Sequence, residues 1–200
     1  MKFLGLPIDF DKLIETAKKF KKTHRQVFDI ILYGSAVKGK EKPNDYDFML
    51  LLKKSRGDDR FDLSFEFKQE LLRLGFPHEK LDIKALTLEE LFDPNYLASP
   101  GVIIEGYSLT KGKPVHELLN GEGYALFILR PTIDGNEKTK FQFALKGRDG
   151  EGGILRELNG RYLGPWVVLL PVENAHRFRE FLEFWRVDFE SYLMFGIQGI

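Results

Sequence analysis

Phe10, Leu13, Ile14, Ala17 and Phe20 recur at helical spacing, with Lys18, Lys19, Lys21 and Lys22 on most positions between them. This pattern predicts an amphipathic helix. VFDIILYGS, residues 27–35, is apolar and β-branched until it breaks at Gly34, so it reads as a buried strand ending in a tight turn. A polar loop, GKEKPN at 39–44, leads into DYDFMLLL, a second strand whose far end is almost wholly apolar. Residues 59–75 place Phe61, Phe65 and Leu72 on one helix face, while Phe61 to Phe67 also alternates like a strand; helix is the preferred reading. KLDIKAL, 80–86, predicts a third strand around Asp82. LTLEELF then opens a short helix, with Thr87 as N-cap and Glu90 three residues on, the pattern of a capping box. Residues 100–114 are interrupted by Pro100, Gly101, Gly106, Gly112 and Pro114 and read as a strand followed by a boundary.

From about 115 the pattern restarts. GYALFILRP predicts a strand, EKTKFQFALKG a helix, GRDGEGG a glycine-rich connector, ILREL a short helix and PWVVLLPV a strand. Phe178, Phe181, Leu182, Trp185 and Phe189 mark a closing amphipathic helix after Asn174 as its cap. The expected architecture is α/β (α+β): a small mixed sheet flanked by helices over residues 1–112, then an α+β domain over 113–200. Trp166 and Trp185 sit in apolar surroundings and are expected in that second core.

Composition narrows the function. Lys plus Arg and Asp plus Glu each total 30, so no global field draws the chain to nucleic acid or an anionic membrane. Residues 113–200 carry 11 basic and 12 acidic side chains, which argues against a strongly basic nucleic-acid-binding domain there. With no cysteine, disulfides and zinc–thiolate sites are excluded, and a reducing cytoplasm suits the chain. Asp9 and Asp11 interrupt the N-terminal segment before an apolar run accumulates, so neither a signal peptide nor a membrane span is expected there. His24, His78, His116 and His176 lack metal-ligand spacing and are read as packed or surface residues. The run Lys18, Lys19, Lys21, Lys22 and Arg25 is read as a solvated helix face, and GRDGEGG lacks the Gly-Lys-Ser/Thr ending of a P-loop.

The chemistry concentrates elsewhere. Asp45 and Asp47 stand two residues apart on a strand, so both side chains leave the same face and their charges repel unless a cation lies between them. Oxygen ligands alone favour magnesium or manganese. Asp82 interrupts an apolar strand and completes a three-carboxylate cluster if that strand neighbours the second; the plainer reading is a water-facing edge residue, or an ion pair with Lys80 or Lys84. Gly34 and Ser35 end the first strand where backbone N–H groups and a small hydroxyl can meet a triphosphate, with Lys38 close by in sequence to neutralise it.

Apolar strand, Gly-Ser, about ten polar residues, Asp-x-Asp opening a second strand and a third strand with a lone aspartate together resemble the DNA polymerase beta-type nucleotidyltransferase superfamily. The likeness is greatest to its small "minimal" archaeal and bacterial members. It spans residues from about 10 to 112 and includes VIIEGYSLTKGKP, similar to the segment that closes the catalytic domain in that group. The resemblance implies a nucleotidyltransferase fold and transfer of NMP from an NTP, ATP foremost, to an acceptor hydroxyl on RNA, protein or a small molecule. It assigns phosphate contact to Gly34 and Ser35, two Mg2+ or Mn2+ ions to Asp45 and Asp47, and completion of one metal site to Asp82. Many relatives carry arginines after Gly-Ser; here Ala36 and Lys38 follow. Two further readings stand beside this one: an antitoxin-like regulatory protein that binds and AMPylates a partner, and a pseudoenzyme that holds nucleotide unturned. A homodimer and a complex with a partner protein are both open expectations.

Overall fold

The computed structural model describes residues 6–38, 42–54, 59–93, 95–96, 98–148 and 151–197. Residues 39–41, the first half of the expected 39–44 loop, and part of the glycine-rich connector lie outside the described residues. The chain divides into two compact units, Met1–Asn120 and Gly121–Ile200.

In the first unit, helix α1 (Phe10–Thr23) starts at Asp9, whose carboxylate accepts from the Asp11 N–H, and buries Leu13, Ala17 and Phe20. Strands β1 (Val27–Tyr33) and β2 (Tyr46–Leu52) follow, then α2 (Asp59–Arg73), β3 (Leu81–Thr87) and α3 (Leu88–Leu91). Leu63, Phe67 and Leu71 of α2 turn inward at helical spacing, which decides the ambiguity of 59–75 for helix. Thr87 and Glu90 form the expected capping box. Next come α4 (Ser99–Glu105), β4 (Tyr107–Ser108), β5 (Lys113–Pro114) and α5 (Val115–Leu118).

The stretch from 100 therefore begins as a helix, not as the strand the sequence suggested. Pro100 sits in the first turn, where its missing N–H costs nothing, and the helix stops at Gly106. A side chain there would meet the Val102 carbonyl oxygen at 2.2 Å.

The mixed sheet runs β3-β2-β1-β4-β5, with β2 and β3 parallel and the other neighbours antiparallel. Strand alternation sorts its side chains onto two faces. Ile30, Leu32, Phe48 and Leu50 pack against α1 and α2 in one cluster. Ile31, Met49 and Leu51 point the other way and pack with Leu91, Val102 and Val115. Asp29 is 2% exposed yet satisfied: Ser108 Oγ donates to both carboxylate oxygens, at 2.9 and 2.8 Å, Thr110 Oγ1 donates as well, and so does the Ile30 N–H. These bonds tie β1 to the turn between β4 and β5.

The second unit comprises β6 (Glu122–Arg130), α6 (Gly135–Lys146), α7 (Ile154–Glu157), β7 (Arg161–Gly164), β8 (Val167–Pro171), α8 (Ala175–Phe184) and β9 (Asp188–Gly196). Its antiparallel sheet runs β7-β8-β6-β9, a split β-α-β arrangement. Ala125, Phe127 and Leu129 face Phe141, Leu145, Phe178 and Leu182 of the two longer helices, and Trp166 and Trp185 pack against that cluster.

Two features of this unit differ from expectation. The closing helix ends at Phe184, because Arg186 takes a left-handed φ of 51° that breaks the helix, and Phe189 belongs to a nine-residue strand. Asn174 occupies the cap position without capping; its side-chain amide donates to the Leu158 carbonyl instead.

Candidate active site

Register brings the key residues together. Tyr33 of β1 pairs with Asp47 of β2, and Asp47 pairs with Asp82 of β3, so the three side chains form one row on one face across three strands. Neighbouring strands are about 4.8 Å apart, close enough for the two carboxylates to interact. Asp45, two residues before Asp47, is exposed immediately before β2. Burial raises the pKa of Asp47, with the charges of Asp82 and then Asp45 adding to the rise, while Lys84 and Lys38 oppose it.

The β1 strand ends against this row. Gly34 has φ of 74°, and a Cβ built on it would lie 2.1 Å from Asp47 Oδ2, so only glycine lets the turn and the carboxylate touch. Residues Gly34–Lys38 make a single 3-10 turn anchored by buried Ala36 and Val37. Ser35 Oγ donates to the Asp45 carbonyl at 3.2 Å, joining the Gly-Ser turn to the Asp-x-Asp segment.

The remaining expected residues have partners of their own. Lys38 Nζ lies 2.9 Å from Glu105 Oε2, a carboxylate buried at the end of α4. Asp82 Oδ2 accepts from Lys84 Nζ at 3.1 Å, so the row and the local ion pair occur together. That hydrogen bond is the main reason the Lys84 pKa is raised. None of the four histidines joins the row: His24 pairs with Glu66 at 2.8 Å, His176 with Glu180 at 3.3 Å, His116 is buried against the Ile104 carbonyl, and His78 lies in a 3-10 turn.

Sequence reasoning missed three side chains here: Tyr33, Tyr96 and Glu105. Tyr33 was hidden inside an apolar run, although its place immediately before Gly34 sets it beside the carboxylates. The hydroxyls of Tyr33 and Tyr96 are buried with no hydrogen-bond partner among the described residues. Burial foremost, then Tyr96, Asp47 and Asp82, pushes the Tyr33 hydroxyl far up, so it stays protonated at any physiological pH.

Among the described residues no three His, Asp or Glu side chains converge as a metal cage. The donor set nevertheless fits a hard divalent cation. Asp45, Asp47 and Asp82 offer only oxygen ligands, and the mutual repulsion felt at Asp47 is the penalty a cation removes.

Residues 15–105 match the family model described as polymerase beta, nucleotidyltransferase, so the first unit carries a nucleotidyltransferase domain of the polymerase beta type. No curated protein matches the chain. A solved structure described as a toxin-antitoxin with AMP-PNP is 19% identical, over 51% of this chain and 73% of that one, with a TM-score of 0.35. A tri-AMPylated Shewanella oneidensis HEPN toxin in complex with MNT antitoxin gives 18% identity over 55% and 75%, with a TM-score of 0.33. No helix among the described residues is long and apolar enough to cross a membrane.

Proposed function

We propose that the first unit transfers a nucleoside monophosphate from an NTP, ATP foremost, to an acceptor hydroxyl. The observation that carries this reading is the pairing of Asp47 with Asp82 against the Gly34 turn. Asp45, Asp47 and Asp82 would hold two Mg2+ or Mn2+ ions, which when bound supply the positive charge that acidifies an acceptor hydroxyl and neutralises departing pyrophosphate.

The protein's own groups account for the rest. Gly34 leaves the main chain bare where phosphate approaches, and Ser35 adds a small hydroxyl at the same turn. Lys38, close enough to Asp47 to favour its charged form, adds positive charge at the mouth of that turn while remaining anchored to Glu105. The acceptor oxygen bonds to the α-phosphorus as the bond from that phosphorus to the bridging oxygen breaks and pyrophosphate leaves in line. Asp82, the more exposed carboxylate of the row, would take the acceptor proton. The absence of cysteine leads us to place this chemistry in the cytoplasm.

The test is transfer of label from each α-labelled NTP, with and without magnesium, onto RNA, protein and small-molecule hydroxyl acceptors. Substituting both Asp45 and Asp47 by asparagine should abolish magnesium-dependent labelling. Undiminished labelling by that double variant removes the mechanism.

A further inference from the structure

The two sheets have four edges, and three of them are blunted. Strand β5 is two residues long and ends in Pro114. Strand β7 has four residues, a register shift between Tyr162 and Gly164, and Pro165 immediately after it. Strand β3 presents the charged pair Asp82 and Lys84. Short length, bulges, proline and charge are the devices by which proteins prevent a free strand from pairing with another chain.

Strand β9 has none of them over its second half. It pairs with β6 through nine consecutive positions without a bulge, and its other side is an edge of the sheet. From Ser191 to Ile197 it carries no charge and no proline. Tyr192, Met194, Phe195 and Ile197 are 51%, 44%, 36% and 71% exposed. Exposed residues lie on both faces of the strand, so a helix laid on one face would leave the others in water. What fits is another extended strand.

We propose that β9 pairs antiparallel with β9 of a second copy about a two-fold axis, joining two four-stranded sheets into one of eight. The sequence is self-complementary in that arrangement. An axis through Leu193 sets Tyr192 opposite Met194 and Ser191 opposite Phe195, with Glu190 opposite Gly196, so no like charges meet. The area also fits. At about 200 Å² per large side chain, the exposed fractions amount to on the order of 400 Å² per copy and about 800 Å² per dimer before backbone is added, the size of a weak, transient interface. An interface of that size belongs to dimers that exchange with monomer.

Sedimentation velocity on the full chain, from low to several hundred micromolar, should show the mass rising from 23.2 kDa toward twice that value. Met194→Lys should weaken association about tenfold or more while leaving the melting transition in place. Because the chain has no cysteine, Leu193→Cys should give a disulfide-linked dimer on mild oxidation, whereas Leu126→Cys, in the middle of β6, should not. The cysteine pair decides the matter should the lysine variant fail to fold. A chain that stays monomeric throughout, or that cross-links through position 126 and not 193, overturns the proposal.

Discussion

Replacing Gly34 by alanine tests the link between the turn and the carboxylates. Two costs arise there. A φ of 74° is the left-handed region, which penalises an L-residue by about 1–2 kcal/mol. The new methyl would also stand 2.1 Å from Asp47 Oδ2, so the carboxylate must swing aside. Displacing a reacting group by about 1 Å costs on the order of a hundredfold in rate. Gly75→Ala is the control: its φ is 97°, but a Cβ there meets nothing within 4 Å, so it carries the backbone cost without the collision. Both variants should melt a few degrees lower by calorimetry, whereas only Gly34→Ala should lose magnesium-dependent nucleotide transfer, by about a hundredfold. If Gly34→Ala transfers label as well as Gly75→Ala does, the contact between the turn and Asp47 has no part in the chemistry.

Three further outcomes follow from the same geometry. The raised pKa of Asp47 means that the folded chain holds this proton more tightly than the unfolded one, so ionised Asp47 weakens the fold at neutral pH. Without divalent ions, Asp47→Asn should therefore melt higher than wild type at pH 7, and the gain should shrink as pH falls through the raised pKa toward the ordinary carboxylate value of about 3.9. Tyr33→Phe removes a buried hydroxyl that has no partner among the described residues, so denaturant titration without metal should show a gain of about 1 kcal/mol. Lys38→Met should raise the KM for NTP and also strand buried Glu105, at a cost of about 3–5 kcal/mol. Adding Glu105→Gln should restore the melting temperature but not the KM; a double variant with a normal KM would confine Lys38 to a structural role.

The elements of the first unit were legible where one signal dominated. Apolar alternation ending at Gly34 fixed β1, and Asp-x-Asp followed by five apolar residues fixed the face and direction of β2. What was not legible depended on tertiary choice. Pro100 and Gly106 read as breakers, but one lies in a helix's first turn and the other stops it, a distinction that only the packing of Val102 and Ile104 settles. Phe189 fits a helix face continued from Phe178 and Phe181, and equally a strand alternating beside β6; the left-handed backbone at Arg186, a residue with no turn preference, decided for the strand. Asp82 was readable as a neighbour of the Asp-x-Asp pair or as partner of Lys84; the register sets it opposite Asp47, and its carboxylate pairs with Lys84.

The carboxylates are held together by side chains that never touch them. Because a strand alternates with period two, a slip of one residue between β2 and β3 would send Asp47 into the cluster under α1 and α2 and turn Phe48 and Leu50 out of it. Phe48, Leu50 and Leu52 are fully buried on that inner face, and each large apolar side chain so placed contributes about 1.5–3 kcal/mol. Repulsion between half-buried Asp47 and a more exposed Asp82 is screened by water and offset by Lys84 and Lys38, so it falls well short of that sum. Packing on one face thus fixes the juxtaposition on the other, and the site keeps its like charges adjacent before any cation or nucleotide arrives.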